Sequence, residues 1–333
     1  MRNDIVDKTG ATLITRQDLL RDGLSGSAIQ RQRKAGSMTV LRRGVYTPTG
    51  AFGALGLEYR HAARARAVAL SAPGVVISHL SAAVLHLLPV RPAGLGKVHA
   101  TRISTSGGTS DHARVIHIGR LAEDEIVEID GTRTTSLART LVDLARYESF
   151  EASVIAADTA FHLRPTIVDD VVEILSRSRR LRGHPTARQA LLFADGRSES
   201  VGDTRLRVFL RQIGLPPPEL QCEVFGGRHD FLGRTDLAVL EAGALIEFDG
   251  MVKYGKAFNP HRTEMEVLRA EKVREESLWA AGWQVFRVVW PDLDRPEELE
   301  ARLRTSMARG RRALAANPVI GSVRLSPPIR LPR

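Results

Sequence analysis

The chain has 333 residues, 43% hydrophobic and 26% charged, an ordinary globular composition whose length asks for two or three domains. Its 48 Lys+Arg against 38 Asp+Glu give a net charge of +10 and a pI near 10.4, which favours a polyanionic partner, most often nucleic acid. Cys222 is the single cysteine, excluding an intrachain disulfide and a cysteine-rich zinc site, and neither a secretory leader nor a long apolar run is present, so a reducing cytoplasm is expected and a membrane is not.

From the amino end, Thr15-Arg16-Gln17-Asp18 offers a helix cap with an acid three residues on, and that helix is expected to end at Gly23. Ser25 caps a second helix, Ser27 to Ala35, which carries Arg31, Arg33 and Lys34 and stops at Gly36. An extended segment, Thr39 to Thr47, follows with Arg42, Arg43, Gly44 and Tyr46. Helix, turn, basic helix and basic hairpin is the order of a winged helix-turn-helix, here residues 1–50. Ile29 and Leu41 would face inward, and Arg31, Arg33, Lys34, Arg42 and Arg43 would face DNA. The plainer alternative is a small helical domain with a solvated basic face. Ile14-Thr15-Arg16, Gly23-Leu24-Ser25 and Leu41-Arg42-Arg43-Gly44-Val45-Tyr46 resemble the winged-helix domain of AbiEi-type antitoxins of type IV toxin–antitoxin systems. That resemblance implies DNA binding and leaves a toxin partner or a homodimer open.

Residues 51–195 read as an α+β domain with little chemistry. Glu58–Ala69 is Ala/Arg-rich and helical, and Ser78–Leu88 carries an apolar helical stripe ended by Pro89. Val98–Thr101, Val115–Ile118 and Ile126–Ile129 read as strands, followed by helices at Leu137–Ala145 and Ala152–His162 and two more before Phe193. Ser78-His79-Leu80-Ser81-Ala82-Ala83 and Thr134-Thr135-Ser136-Leu137-Ala138-Arg139-Thr140 resemble the C-terminal part of AbiEi-like proteins. His79, His86, His99, His112 and His117 match no metal-ligand spacing and are expected to be packed or surface residues. The Gly107-Gly108 loop lacks the lysine and helix of a phosphate loop, and the Arg177–Arg182 run reads as a solvated helix end or linker approach, with added phosphate contacts as the alternative.

A linker at Asp195–Ser200 leads to the last domain, residues 196–310, before an irregular basic tail over 311–333. Thr204–Ile213 reads as an amphipathic helix. Asp203 at its start serves either the helix dipole or a metal site. Thr235–Leu240 and Ala244–Phe248, joined by Glu241-Ala242-Gly243, read as a hairpin. Alternation on the second strand sends Glu247 and Asp249 out of one face, and Asp236 on the first strand can face them. Three close carboxylates repel unless a cation sits between them, and a hard ion such as Mg²⁺, with Mn²⁺ as a substitute, meets that need. A solvated acidic strand end that ligates nothing is the alternative. A helix over Thr263–Ala281 follows, with Met265, Leu268, Lys272, Glu275 and Trp279 on one stripe. Lys272, or its rival Lys253, is expected to point at the acids. Gln284–Val289 is the last strand.

Asp236 with Glu247-Phe248-Asp249-Gly250 resembles the acidic core of the PD-(D/E)XK nuclease superfamily, closest to the domain-of-unknown-function branch similar to very-short-patch-repair endonucleases. The likeness runs from about Glu199 to Arg304, through Gly202-Asp203-Thr204-Arg205-Leu206-Arg207, Gly214-Leu215-Pro216, Glu271-Lys272 and Gly282-Trp283-Gln284-Val285-Phe286-Arg287-Val288. It departs where a lysine usually follows the second acid by two positions, because this chain has Asp249. The resemblance implies an α/β domain with a mixed sheet flanked by helices. It also implies Mg²⁺-dependent phosphodiester hydrolysis in DNA without an organic cofactor. The metal would rest on Asp236, Glu247 and Asp249, with Asp203 in reserve and Lys272 or Lys253 assisting. The competing expectation is an AbiEi-type regulator whose nuclease-like domain is inactive.

Overall fold

The computed structural model of the protein describes residues 5–6, 12–104, 107–250, 264–318 and 321–332. Lys253 lies outside them. Two compact units result: Met1–Ala160 with Thr166–Phe193 and Leu331–Arg333, and Phe161–Pro165 with Ala194–Arg330.

The first unit opens with β1 (Ile5–Val6), β2 (Thr12–Thr15), α1 (Arg16–Arg21), α2 (Gly26–Lys34), β3 (Met38–Arg42) and β4 (Val45–Pro48). These strands form an antiparallel sheet in the order β1-β2-β4-β3. The local chemistry is that read from the sequence. Thr15 Oγ accepts from the Asp18 amide at 3.1 Å and the Asp18 carboxylate accepts from the Thr15 amide at 3.0 Å. That reciprocal pair holds the Asp18 carboxyl below its usual pKa, the Thr15 side-chain hydrogen bond first among the causes. Ser25 Oγ caps α2 at the Ala28 amide. Gly44 has φ +82°, as the turn between β3 and β4 requires. Leu19, Ile29 and Tyr46 form a small core that Ile14, Leu24 and Met38 pack against, while Leu41 packs with Leu13 and Ala63.

The unit continues with α3 (Thr49–Ala54), α4 (Leu57–Ser71), β5 (Val75–Ile77), α5 (His79–Leu85), β6 (Val98–Ile103), β7 (Thr109–Ser110) and β8 (Arg114–Gly119). Then come β9 (Ile126–Ile129), β10 (Thr132–Thr135), α6 (Leu137–Tyr147), α7 (Phe150–Leu163), α8 (Ile167–Arg177) and α9 (His184–Phe193). A mixed sheet runs β7-β8-β6-β5-β10-β9, with β8–β6 and β5–β10 parallel. The sequence pattern does not announce β5 or β10. One is a three-residue apolar run that reads equally as the start of a helix, and the other is the polar segment Thr-Arg-Thr-Thr. β10 forms because Asp130-Gly131, both at positive φ, makes a tight hairpin with β9.

The second unit contains α10 (Val201–Gln212), β11 (Glu219–Phe225), β12 (Phe231–Val239), β13 (Ala244–Asp249), α11 (Glu264–Ala280), β14 (Gln284–Val289), α12 (Trp290–Leu293), α13 (Pro296–Ala316) and β15 (Ser322–Arg324). Its sheet is mixed, order β14-β13-β12-β11-β15, with β13 and β14 parallel and the other pairs antiparallel. The expected hairpin pairs Leu237 with Ile246 and Val239 with Ala244. Alternation sorts the two faces. Leu237, Val239, Ile246 and Phe248 pack with Leu206 and Leu210 of α10 and Leu299, Leu303 and Met307 of α13. Ala238 and Leu245 pack with Leu278 of α11 and with Trp283 on the other face. The result is a sheet between helices.

The tail differs from its expectation. α13 continues to Ala316, and Ser322–Arg324 adds an edge strand to β11, with Arg324 at 3.2 Å from Glu223 and stacked on Phe225. An unpaired strand edge offers a row of backbone partners that an irregular sequence can fill without an apolar pattern of its own. Among the described residues no helix is long and apolar enough to cross a membrane.

Candidate functional site

The acids converge at the end of the β12–β13 hairpin. Paired register ends at Leu237–Ile246. One step further, Asp236 turns its side chain into the ladder, and its Oδ2 accepts the Phe248 amide at 3.0 Å. Asp203 approaches from the other side of the sheet as the third residue of α10. Its carboxylate accepts the Ser200 amide at 3.0 Å while Ser200 Oγ accepts the Asp203 amide. α10 reaches this position because Gly202 lies directly against the Phe248 ring, where any Cβ would collide. Asp203 is buried. Desolvation, with the nearby Asp236 charge second, pushes its pKa up to about 6. Asp203 and Asp236 are therefore two coupled carboxylates, one of them taken out of water. Both are hard oxygen donors, and Mg²⁺ typically takes one or two carboxylates and keeps several waters, so the pair fits such an ion. Among the described residues no group of three or more His, Cys, Asp or Glu is placed to hold a metal.

Glu247 sits differently from its expectation. Arg274 of α11 grips it with two hydrogen bonds of 2.7 and 2.9 Å, and Arg287 of β14 stands at 3.7 Å. Arg287 also lies 3.0 Å from Glu271 and 3.3 Å from Glu275, without the alignment of hydrogen bonds. Three carboxylates and two guanidiniums thus form one half-buried network between α11 and the sheet. The Glu247 hydrogen bond raises the Arg274 pKa.

Lys272 does not take part. Its side chain is 79% exposed and its nearest acid is Glu276 at 4.0 Å. Met265 and Trp279 of the expected inward stripe are exposed as well, and of its described side chains Glu275 alone turns toward the sheet. The inward stripe is offset: Glu271, Arg274, Leu278 and Ala281, spaced three and four apart. Charge outweighs hydropathy here, because the middle of the helix covers the acidic strand end and its last turns cover apolar strands. Arg274 was legible in principle, since a buried Glu247 needs a cation on the covering helix. Glu199, where the nuclease resemblance begins, is paired through both its oxygens with Arg234 at 2.7 and 2.8 Å. Asp249, half-buried at the end of β13, stays on the face of Glu247.

The basic residues of the first unit differ in exposure. Arg31, Arg33, Lys34 and Arg43 are exposed and Arg42 is half-buried. Further along the unit the histidines gather as packed residues. The His79 ring stacks on His117 with centroids 3.8 Å apart, and His99 Nδ1 lies 3.0 Å from His117 Nε2. Burial, with the neighbouring His117 second, lowers His99 to about 4, and burial also lowers His79 and His117. An unfolded histidine protonates near 6.5. The stabilisation from this cluster is thus complete above pH 6.5 and lost as pH falls toward 4. Amide hydrogen exchange, corrected for its intrinsic pH dependence, is expected to show β6 and β8 losing protection across that window; constant protection contradicts the assignment.

No family model matches the chain. It is similar to two uncharacterised proteins of Mycobacterium tuberculosis, MT2308 of strain CDC 1551 / Oshkosh and Rv2248 of strain ATCC 25618 / H37Rv. Each is 29% identical over 186 residues, 56% of this chain and 65% of the relative. The chain thus spans just under two thirds of the length of the curated relatives it matches.

Proposed function

We propose that this protein binds DNA through the basic helix and hairpin of its first unit and hydrolyses a DNA phosphodiester at the acidic end of its second. The observation that carries the catalytic half is the coupled pair Asp203 and Asp236, a buried carboxylate whose proton is held to about pH 6 beside a second carboxylate. Two coupled acids, one buried at the start of α10 and one on the hairpin, fit an ion-binding and phosphate-facing site, because a cation between them would relieve their repulsion. Asp203 and Asp236 would hold Mg²⁺ or Mn²⁺; Asp249 lies at the end of the neighbouring strand β13. The ion would supply an activated water and neutralise charge on the scissile phosphate. The residue roles extend the PD-(D/E)XK resemblance, with Arg274 standing where a lysine was expected to neutralise Glu247.

A second reading is favoured by that same arginine. Glu247 is engaged by Arg274 at 2.7 Å and Lys272 faces solvent, which suits an antitoxin-like regulator, acting with a toxin or as a homodimer, whose nuclease-like domain is a scaffold. Plasmid nicking with Mg²⁺ or Mn²⁺ separates the two. Metal-dependent nicking that EDTA stops and Asp236→Ala abolishes supports the nuclease. Salt-sensitive binding without cleavage supports the regulator. For the DNA half, Arg31→Ala with Arg33→Ala is expected to reduce the slope of log affinity against log salt by about two units, one per lost phosphate contact. An unchanged slope moves the DNA contact elsewhere.

A further inference from the structure

A cavity of about 700 Å³ opens in the first unit, bounded by His79, Thr101 and His117 at the sheet and by Arg139, Arg146 and Tyr147 of α6. That volume lies in the range of small-molecule sites. We propose that it binds a phosphorylated small molecule of about nucleotide size, whose phosphate accepts a hydrogen bond from the His79 ring and is neutralised by Arg120 and Arg180. The inference is independent of the nuclease reading.

His79 sits at the elbow between β5 and α5 with φ +52°, a conformation a non-glycine residue adopts only under constraint. It is 5% exposed and lines the cavity, yet its Nε2 has no hydrogen-bond partner among the described residues. A buried polar group left so keeps its full desolvation penalty. The neighbours favour one tautomer. Thr101 Oγ1 donates to Ser78 Oγ at 2.8 Å, so the Ser78 hydroxyl proton is free to go to His79 Nδ1 at 2.9 Å. Nδ1 then accepts, and Nε2 carries the proton. Burial keeps the ring neutral. A neutral N–H on a residue that lines the cavity, closed in by the His117 and Tyr147 rings, is a donor still without an acceptor, and it has no lone pair left for a metal.

Charge supplies the sign. Five arginines line the cavity against Glu125 and Asp143. Arg139 bridges Glu125 at 2.6 Å and Asp143 at 3.0 Å, Arg146 holds Asp143, and Arg177 holds Asp124. Arg120 and Arg180 are exposed and make no ion pair among the described residues. The rim is therefore positive, while Leu121 and Leu181 offer apolar surface to the rest of a ligand.

The test is a titration of the full-length protein with adenosine 5′-monophosphate and glucose 6-phosphate, following the His79 ring by long-range ¹H–¹⁵N correlation. A ring protonated at Nε2 whose signal shifts saturably with at least one probe, and not with adenosine, is expected. Arg120→Ala with Arg180→Ala should weaken that binding about tenfold while leaving the tautomer in place. A proton on Nδ1, no saturable shift with either probe, or undiminished binding in the double variant overturns the proposal. So does a response to a 5′-phosphorylated oligonucleotide with none to either small probe.

Discussion

Arg274→Ala is expected to destabilise the second unit by about 2 kcal/mol, which lowers its thermal midpoint by several degrees. The cause is asymmetric. Glu247 is only 12% exposed, and losing Arg274 strands its charge beside Glu271 and Glu275, with Arg287 alone to balance three carboxylates. Arg274 is 27% exposed, so in Glu247→Gln it can turn toward water and the cost is smaller. The double variant Glu247→Gln with Arg274→Met keeps volume, removes both charges and is expected to recover most of the loss. A double-mutant cycle by urea unfolding reads this directly. Equal costs for the two single variants, with no recovery in the double, would show that packing rather than charge holds α11 to the sheet. Measured with the metal-dependent nicking assay, the same variants show what Arg274 does at the site. If Arg274 only blocks the acids, its removal raises metal-dependent cleavage; if it acts on the phosphate, cleavage falls.

Asp203→Asn is expected to stabilise the metal-free protein by about 3 kcal/mol at pH 8, from a pKa displaced by about two units. The folded protein holds the Asp203 proton to about pH 6, whereas a free aspartic acid releases it at 3.8. The stabilisation from this group is complete below pH 3.8 and lost as pH rises through 6. The difference between variant and wild type should therefore grow across that interval and level off above it. Asparagine still offers an oxygen to the Ser200 amide, so the helix cap survives. Adding Mg²⁺ at pH 8 should raise the midpoint of the wild type and leave the variant where it was. A variant that is stabilised while neither protein responds to Mg²⁺ or Mn²⁺ would uphold the strained carboxyl and sink the metal site. The two variants thus test different acids, one on β13 gripped by arginine and one at the start of α10 for which a cation is proposed.

Local signals in the chain carried far. Thr15 with Asp18, Ser25, Gly44 and the Glu241-Ala242-Gly243 connection each act over a few residues, so the helix starts and the hairpins could be read without knowing what lay across from them. Alternation on β13 likewise placed Glu247 and Asp249 on one face, because strand geometry alone decides that. The same reasoning failed on α11. Its inward face is chosen by what it covers, and the acidic strand end drew Glu271 and Arg274 inward where hydropathy favoured Met265 and Trp279. β5, β10 and β15 were hidden for a related reason: each is too short or too polar to show a period, and each exists because a neighbouring strand supplies its backbone partners.

By itself, then, the sequence determined which residues cap, turn and alternate, and therefore which acids share a strand end and which arginines share a helix. Only the tertiary structure decided who neutralises whom. It put Arg274 rather than Lys272 on Glu247, Asp236 beside a buried Asp203, and three histidines separated by many residues into one stack. Charges and rings act across a few ångströms of space, and distances between segments far apart in sequence are set by packing, which no spacing along the chain records.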